Sequence, residues 1–169
     1  MFSHSRRSSV FAGSILAALA VPAFSGSAPA AGEQPGVFIS LSGDWAGDGM
    51  VSTKAGTNER IRCRATYVVN SRGDNLQQKL LCASDSYKFD IDSSMNYDNG
   101  AITGTWLELT EGVVGELKGL VYPDRISGGV HGSLFTAKVA VKTDGINQSV
   151  NIEPTGTSIQ TISITMSKR

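Results

Sequence analysis

Residues 86–110, SYKFDIDSSMNYDNGAITGTWLELT, decide the fold of this 169-residue chain. Asn99-Gly100 is among the dipeptides most typical of a two-residue type I′ turn, which joins two antiparallel strands. A hairpin with this turn places Tyr97 opposite Ile102. Because side chains alternate between the two faces of a strand, one such pair fixes the face of every other residue. The stretch therefore predicts a β-hairpin with an apolar face.

The same alternation continues on both sides of this hairpin. From Gly43 onward, short alternating segments are separated by Gly, Asp, Asn and Pro, which punctuate strands. They predict about ten strands: 43–52, 59–69, 75–83, 86–97, 101–110, 113–121, 125–131, 134–142, 146–152 and 159–166. Many short strands joined by tight turns are typical of all-β folds. We therefore expect an all-β, antiparallel meander barrel of about eight to ten strands.

Two further turn signals assign residues to the inner face of this barrel. Asp144-Gly145 predicts a turn that pairs Val139 with Val150. A turn at 132–133 independently places Val139 on the same inner face. Consecutive hairpins that share strands make a meander, so both turns favour the same architecture.

The first thirty residues have the order of an export signal. Arg6 and Arg7 precede an apolar stretch at 10–21, and small residues follow up to Ala30, near which we expect cleavage. About a dozen apolar residues are too few to cross a bilayer of roughly 30 Å as a helix. The segment 1–30 therefore predicts a signal peptide, and export to the bacterial periplasm or secretion.

Cleavage at that point divides the remaining chain into two parts. Residues 31–42 contain Gly and Pro and are expected to form a flexible N-terminal arm, and 43–169 are expected to form the barrel domain. We expect no transmembrane segment in the mature chain.

The two cysteines fit the predicted hairpins. A loop centred on Arg72-Gly73 sets Cys63 directly opposite Cys82. Facing Cβ atoms lie about 4.5 to 5.5 Å apart, near the distance that a disulfide spans. Export supplies the oxidising compartment that a disulfide needs, so we predict this bond; two buried free thiols are the alternative.

Charge and residue content argue against several kinds of function. With 15 basic and 15 acidic residues the net charge is +0, whereas binding to nucleic acid needs a strong basic field. His131 is the only histidine after residue 30, and the hairpin register places it on the outer face. A single histidine is too little for a catalytic triad or a histidine-rich zinc site. We therefore expect no enzyme activity, no metal site and no cofactor.

Two charged patterns have a structural explanation. Asp90, Asp92 and Asp98 recur at even positions, but Met95 and Ala101 stand where a calcium loop of the EF-hand type needs glycine and glutamate. Spacing by two is what a solvent-facing strand requires. Strand 59–69 likewise carries three arginines on its outer face, Arg60, Arg62 and Arg64. A charged, solvent-exposed strand explains them, and a binding surface for an anionic partner is the alternative.

A Gly-x-Trp motif opens the first strand as Gly43-Asp44-Trp45, within LSGDW at 41–45. In a small exported meander barrel this motif resembles the calycin superfamily of lipocalins and avidins. The stretch after a flexible arm is also similar to the opening of bacterial periplasmic inhibitors of secreted metalloproteases. The resemblance implies that Trp45 plugs one end of the barrel.

The predicted inner face carries large aromatic residues among small ones. The aromatic set is our candidate ligand-binding site and consists of Tyr67, Tyr87, Phe89, Trp106 and Phe135. Barrels of this size either hold one small apolar ligand or are filled by their own side chains. Strand shear decides between these outcomes, and the sequence does not set it.

Three functions follow from this reading. The first is a non-enzymatic exported barrel that binds a small hydrophobic molecule in the periplasm. The second is a protein-binding module, such as a protease inhibitor, that engages its partner through the arm 31–42 or an exposed strand edge. The third is an envelope protein with a structural or stress role, for which the sequence has no distinctive mark.

Overall fold

The computed structural model describes residues 36–169, which form an antiparallel barrel of ten strands. The strands are β1 (Gly43–Thr53), β2 (Asn58–Val69), β3 (Asn75–Ala83), β4 (Lys88–Asp98), β5 (Ala101–Glu108), β6 (Val113–Tyr122), β7 (Arg125–Gly132), β8 (Thr136–Asp144), β9 (Asn147–Thr155) and β10 (Ile159–Lys168). Each strand pairs with the next, and β10 pairs with β1 to close the barrel. The predicted fold class is confirmed. The predicted signal peptide lies outside the described residues.

Closure gives every strand a hydrogen-bonded neighbour on both sides. The exposed strand edge that we considered as a protein-binding surface is therefore absent from residues 36–169. Within the same residues, no helix has the length and hydropathy needed to cross a bilayer.

The core arises from the alternation of side chains along each strand. In β2, Ile61, Cys63 and Ala65 are buried, while the intervening arginines are exposed. The inner residues of neighbouring strands meet in one apolar interior, which contains Leu76 and Ile164. Burial of such side chains contributes about 25 cal/mol per Å² of apolar surface removed from water.

The Asn99-Gly100 hairpin forms as predicted. Both residues have positive φ, 46° for Asn99 and 88° for Gly100, as a type I′ turn requires. Tyr97 pairs with Ile102 across β4 and β5. The hairpin therefore has the register that the Asn99-Gly100 turn predicts.

The turn between β8 and β9 differs from the prediction by two residues in register. Asp144 pairs with Asn147, so the turn residues are Gly145 and Ile146, and Val139 pairs with Ile152 instead of Val150. Gly145 has φ 57°, which suits the first central position of a type II′ turn. A shift of two residues leaves every side chain on its predicted face, because faces alternate with period two.

The cysteines form the predicted disulfide inside the barrel. Cys63 and Cys82 are a facing pair of β2 and β3, with Cα atoms 4.1 Å apart and a sulfur–sulfur bond of 2.05 Å. Both residues are at most 2% exposed. The bond therefore belongs to the interior of the barrel and not to its surface.

Because successive strands run in opposite directions, their connections alternate between the two ends of the barrel. We call one end the floor; it contains a short 3-10 helix at Ile39–Leu41 and the turns at 70–74, 99–100, 123–124 and 145–146. We call the other end the mouth; its loops are 54–57, 84–87, 109–112, 133–135 and 156–158.

The described part of the predicted arm, residues 36–42, lies against the floor. The backbone N–H of Phe38 donates a hydrogen bond of 3.0 Å to the carbonyl of Gly73. Phe38 is 1% exposed, and its ring meets that of Tyr97 edge to face with centroids 6.5 Å apart. These contacts hold the segment in place on the barrel.

Reduction of the disulfide should lower the free energy of unfolding by about 3 kcal/mol, because an open hairpin loop gains entropy in the unfolded chain. Urea unfolding of the purified protein with and without a thiol reductant measures this difference. A variant with Cys63→Ala and Cys82→Ala serves as the control and should not respond to the reductant. An unchanged urea midpoint for the reduced wild-type protein would contradict the expectation.

Gly128 and Gly129 offer a matched test of close strand packing. A Cβ atom at Gly128 would lie 2.3 Å from the carbonyl oxygen of Lys118 in β6, whereas one at Gly129 meets no atom closer than 3.4 Å. We expect Gly128→Ala to destabilise the barrel by about 2 kcal/mol. Gly129→Ala should change stability by less than about 0.5 kcal/mol. Equal unfolding midpoints for the two variants in urea would argue against this.

Candidate ligand-binding cavity

A cavity of about 540 Å³ lies inside the barrel. Its walls are predominantly apolar, and the main aliphatic contributors are Leu76, Leu80, Ile91, Ile102, Leu117, Val130, Val139, Val150, Ile152, Ile162 and Ile164. Gly119 and Gly128 also face it and contribute no side chain. The inner side chains therefore do not fill the space that the ten strands enclose.

The cavity runs along the barrel from the floor to the mouth. Phe38 and Leu41 contribute to its lining at the floor, and Leu134 and Gly156 contribute at the mouth. Phe38 is buried, whereas Leu134 is 71% exposed. The cavity is therefore covered at the floor and reaches solvent at the mouth.

Four of the five predicted aromatic residues line this cavity: Tyr67, Phe89, Trp106 and Phe135. Tyr87 does not; it precedes β4 and stacks on Phe89, with ring centroids 6.1 Å apart and planes at 16°. Contact of any of these residues with a ligand stays a prediction.

Trp106 and Phe135 form the aromatic part of the wall near the mouth. Their ring centroids are 5.5 Å apart. The indole N–H of Trp106 donates to the carbonyl of Glu116 at 3.3 Å, which satisfies its one polar group. A Cβ atom at Gly132 would lie 2.8 Å from the indole ring, so the ring position depends on a glycine there.

Trp45 lies at the floor and is 1% exposed. Its indole N–H donates a 2.8 Å hydrogen bond to the carbonyl of Leu41 in the 3-10 helix. Its ring meets Tyr67 edge to face, with centroids 6.2 Å apart. Trp45 therefore lies at one end of the barrel, and its function as a plug stays a prediction.

A chain of side-chain hydrogen bonds near the floor was not predicted from the sequence. The hydroxyl of Tyr67 donates to Gln148 Oε1 at 2.8 Å, and Gln148 Nε2 donates to Thr143 Oγ1 at 3.3 Å. Burial raises the pKa of Tyr67, and the hydrogen bond to Gln148 offsets only part of the rise. Tyr67 is therefore a neutral group. Gln148 occupies an inward position of a predicted strand, and that position was the available signal.

Gln78 and Ser93 form a second polar site, halfway along the cavity wall. They face each other across β3 and β4, and the hydroxyl of Ser93 donates a long hydrogen bond of 3.4 Å to Gln78 Oε1. Both line the cavity. The register places both side chains on the inner face, but Gln78 was not among the residues predicted to line the barrel.

Charged groups of the lining gather at the mouth and the outer surface. Glu108 ends β5, and its carboxylate accepts the backbone N–H groups of Asp90 at 3.2 Å and Glu111 at 2.7 Å. Burial alone would raise the pKa of Glu108, but hydrogen bonds from Glu111, Asp90 and Thr110 together outweigh it and hold the pKa below its ordinary value. Lys88 is exposed, and the ammonium of Lys118 pairs with Glu116 on the outer surface.

The other singled-out polar residues lie away from the cavity. His131 is exposed and faces Glu116 and Thr136 across neighbouring strands. The arginines of β2 also point outward. Within residues 36–169, no three His, Cys, Asp or Glu side chains gather closely enough to hold a metal ion.

Glu108 should make stability depend on pH in a defined direction. A carboxyl whose pKa is lower in the folded state stabilises the fold above its unfolded pKa of about 4.3, and this contribution is lost as pH falls through the folded value. Glu108→Gln should lower the melting temperature at neutral pH and flatten its decline on acidification, because a neutral amide has no such pH-dependent contribution to lose.

The matched control for Glu108→Gln is Glu116→Gln. Glu116 is exposed and pairs only with exposed Lys118, so this variant should retain the wild-type pH profile. Melting temperatures measured from neutral pH down to about pH 3 test both variants. Superimposable profiles for Glu108→Gln and the wild type would show that the backbone contacts of Glu108 contribute nothing.

No protein-family model matches the sequence, and no curated protein matches it either. Among solved structures, the chain is similar to the crystal structure of Rv2717c from M. tuberculosis, with a TM-score of 0.62. The similarity covers 78% of this chain and 94% of that chain, at 13% sequence identity. At this identity the likeness shows the fold alone, and the fold that it supports is the antiparallel β-barrel.

Proposed function

We propose that this protein binds a small hydrophobic molecule inside its barrel and does so without catalysis. The observation that carries the proposal is the hollow interior, a cavity of about 540 Å³ with predominantly apolar walls. Protein sites for small organic molecules have volumes of about 300 to 1,000 Å³ and similar walls.

The driving force for binding would be the removal of apolar ligand surface from water. Each Å² removed contributes about 25 cal/mol, and the Trp106 and Phe135 rings add polarisable surface. A ligand would enter at the mouth, because the floor is covered by Phe38 and Leu41. The polar groups deeper in the cavity are amides and hydroxyls, which bind and orient a ligand but supply no strong acid or base.

Export and the wider family are parts of the same proposal. The order of the first thirty residues supports a cleaved signal and a periplasmic or secreted protein. Cys63–Cys82 fits that compartment, since disulfides persist where the environment is oxidising. The Gly43-Asp44-Trp45 motif and the meander barrel support a calycin-like protein.

Partner binding through the arm 31–42 has weaker support. Phe38 is buried, so removal of this segment would expose the floor of the cavity and lower stability. Residues 36–42 of the arm therefore contribute to the structure of the barrel independently of any partner.

A matched pair of substitutions in β8 tests the proposed function. Val139 lines the cavity, and Ala140 is its neighbour on the outer face. Binding of the neutral fluorescent probe N-phenyl-1-naphthylamine should weaken by at least about tenfold in Val139→Trp and stay unchanged in Ala140→Trp, because only the first fills the cavity.

Circular dichroism and melting temperature show whether both variants fold, and Val139→Phe replaces Val139→Trp if the larger ring disrupts the barrel. Native mass spectrometry of freshly purified wild-type protein should also detect an organic molecule that leaves on denaturation. A wild-type barrel that binds no probe and carries no such molecule would overturn the proposed function.

A further inference from the structure

We infer that the ligand is an uncharged amphiphile, with an apolar body and one hydroxyl or carbonyl group that binds at Gln78 and Ser93. The inference rests on the proposed function and names the ligand class of the same cavity. It depends on which polar groups of the wall already have partners and on where the charges lie.

The chain of hydrogen bonds near the floor leaves little hydrogen-bonding capacity for a ligand. Tyr67 uses its hydroxyl proton on Gln148, and Gln148 uses its amide nitrogen on Thr143. Tyr67 is 6% exposed and Gln148 is 2% exposed. These side chains hydrogen-bond to one another, so substituting them would affect the stability of the fold as well as ligand binding.

Gln78 is different, because its amide nitrogen donates no hydrogen bond to any residue of 36–169. The amide oxygen accepts only the long 3.4 Å contact from Ser93. No buried polar side-chain atom of the described residues lacks a partner, so the free nitrogen of Gln78 is not fully buried, and the residue lines the cavity. An accessible donor on an apolar wall is the kind of group that orients a ligand.

The chemistry of this pair selects a hydroxyl or carbonyl group. A carbonyl oxygen accepts a hydrogen bond from the Gln78 amide nitrogen. A hydroxyl accepts from the same nitrogen and donates to Ser93 Oγ. The hydroxyl also fits if the amide is rotated to exchange its oxygen and nitrogen, since it can act as donor or acceptor.

The distribution of charge disfavours an anionic ligand such as a fatty acid. A carboxylate beside Gln78 would find no cationic side chain, because Lys88 is exposed at the mouth and Lys118 pairs with Glu116 outside. At the mouth it would meet Lys88, but also the carboxylates of Glu108 and Glu111, so the acidic side chains of the lining outnumber the cation there. Burial of an unpaired charge is much more costly than burial of a hydrogen-bonded hydroxyl.

Decanol and decanoate test the inference, because they share a chain length and differ in the charge of the head group. Their affinities are measured with wild-type protein at about pH 8, where decanoate is ionised, by displacement of N-phenyl-1-naphthylamine. We expect decanol to bind more than about tenfold more tightly than decanoate. Equal affinities, or tighter binding of decanoate, would overturn the inference and leave the proposed function standing.

Two variants locate the head group. Gln78→Leu removes the free amide on the inner face and should weaken decanol binding about fivefold relative to the binding of N-phenyl-1-naphthylamine. Gln77→Leu alters the neighbouring exposed residue, whose amide bonds to Ser94 outside, and should leave both affinities unchanged. Unaltered decanol binding in a folded Gln78→Leu variant would also overturn the inference.

The comparison of the two ligands in wild-type protein does not depend on how well the variants fold. If the wild-type protein binds neither decanol nor decanoate nor the fluorescent probe, the proposed function fails and this inference fails with it. Support for the inference, failure of the inference alone and failure of the proposed function therefore give different results.

Discussion

Closure of the sheet between β1 and β10 is the constraint on which the rest of the structure depends. This pairing runs from Trp45 opposite Lys168 to Thr53 opposite Ile159, and it joins the two ends of the barrel domain. Without it, two long strands would expose unpaired backbone groups and the apolar interior would open to water. Because the sheet is closed, the side chains that alternate along each strand are divided between an apolar interior and a solvent-exposed surface.

The hollow interior follows from the size of the ring and from its glycines. Ten strands enclose more space than a barrel of eight, which side chains can just fill. Gly119 and Gly128 face that space from adjacent strands and are directly paired, so one part of the wall has no side chains at all. The backbone of Gly128 lies so close to Lys118 that only glycine fits at this position. Since glycine has no side chain, it also leaves the neighbouring part of the cavity empty.

Local features of this fold could be predicted from sequence, whereas features set by the whole ring could not. The Asn99-Gly100 turn and the Cys63–Cys82 pair each depend on one hairpin alone, and both predictions were correct. Gly145 can occupy either central position of a turn, so its register was ambiguous by two residues. Strand shear decides whether the barrel is hollow, and it depends on all ten pairings together. Gln78 was missed because a polar residue in a strand usually indicates a face exposed to water.

The position of the disulfide has a consequence for the order in which the barrel assembles. Cys63 and Cys82 lie 19 residues apart in one hairpin, so they meet after closure of a short loop. The β1–β10 pairing brings together segments separated by nearly the whole domain, which has a far larger entropic cost. Loop-closure entropy therefore favours pairing of β2 with β3, and formation of this disulfide, before closure of the β1–β10 seam.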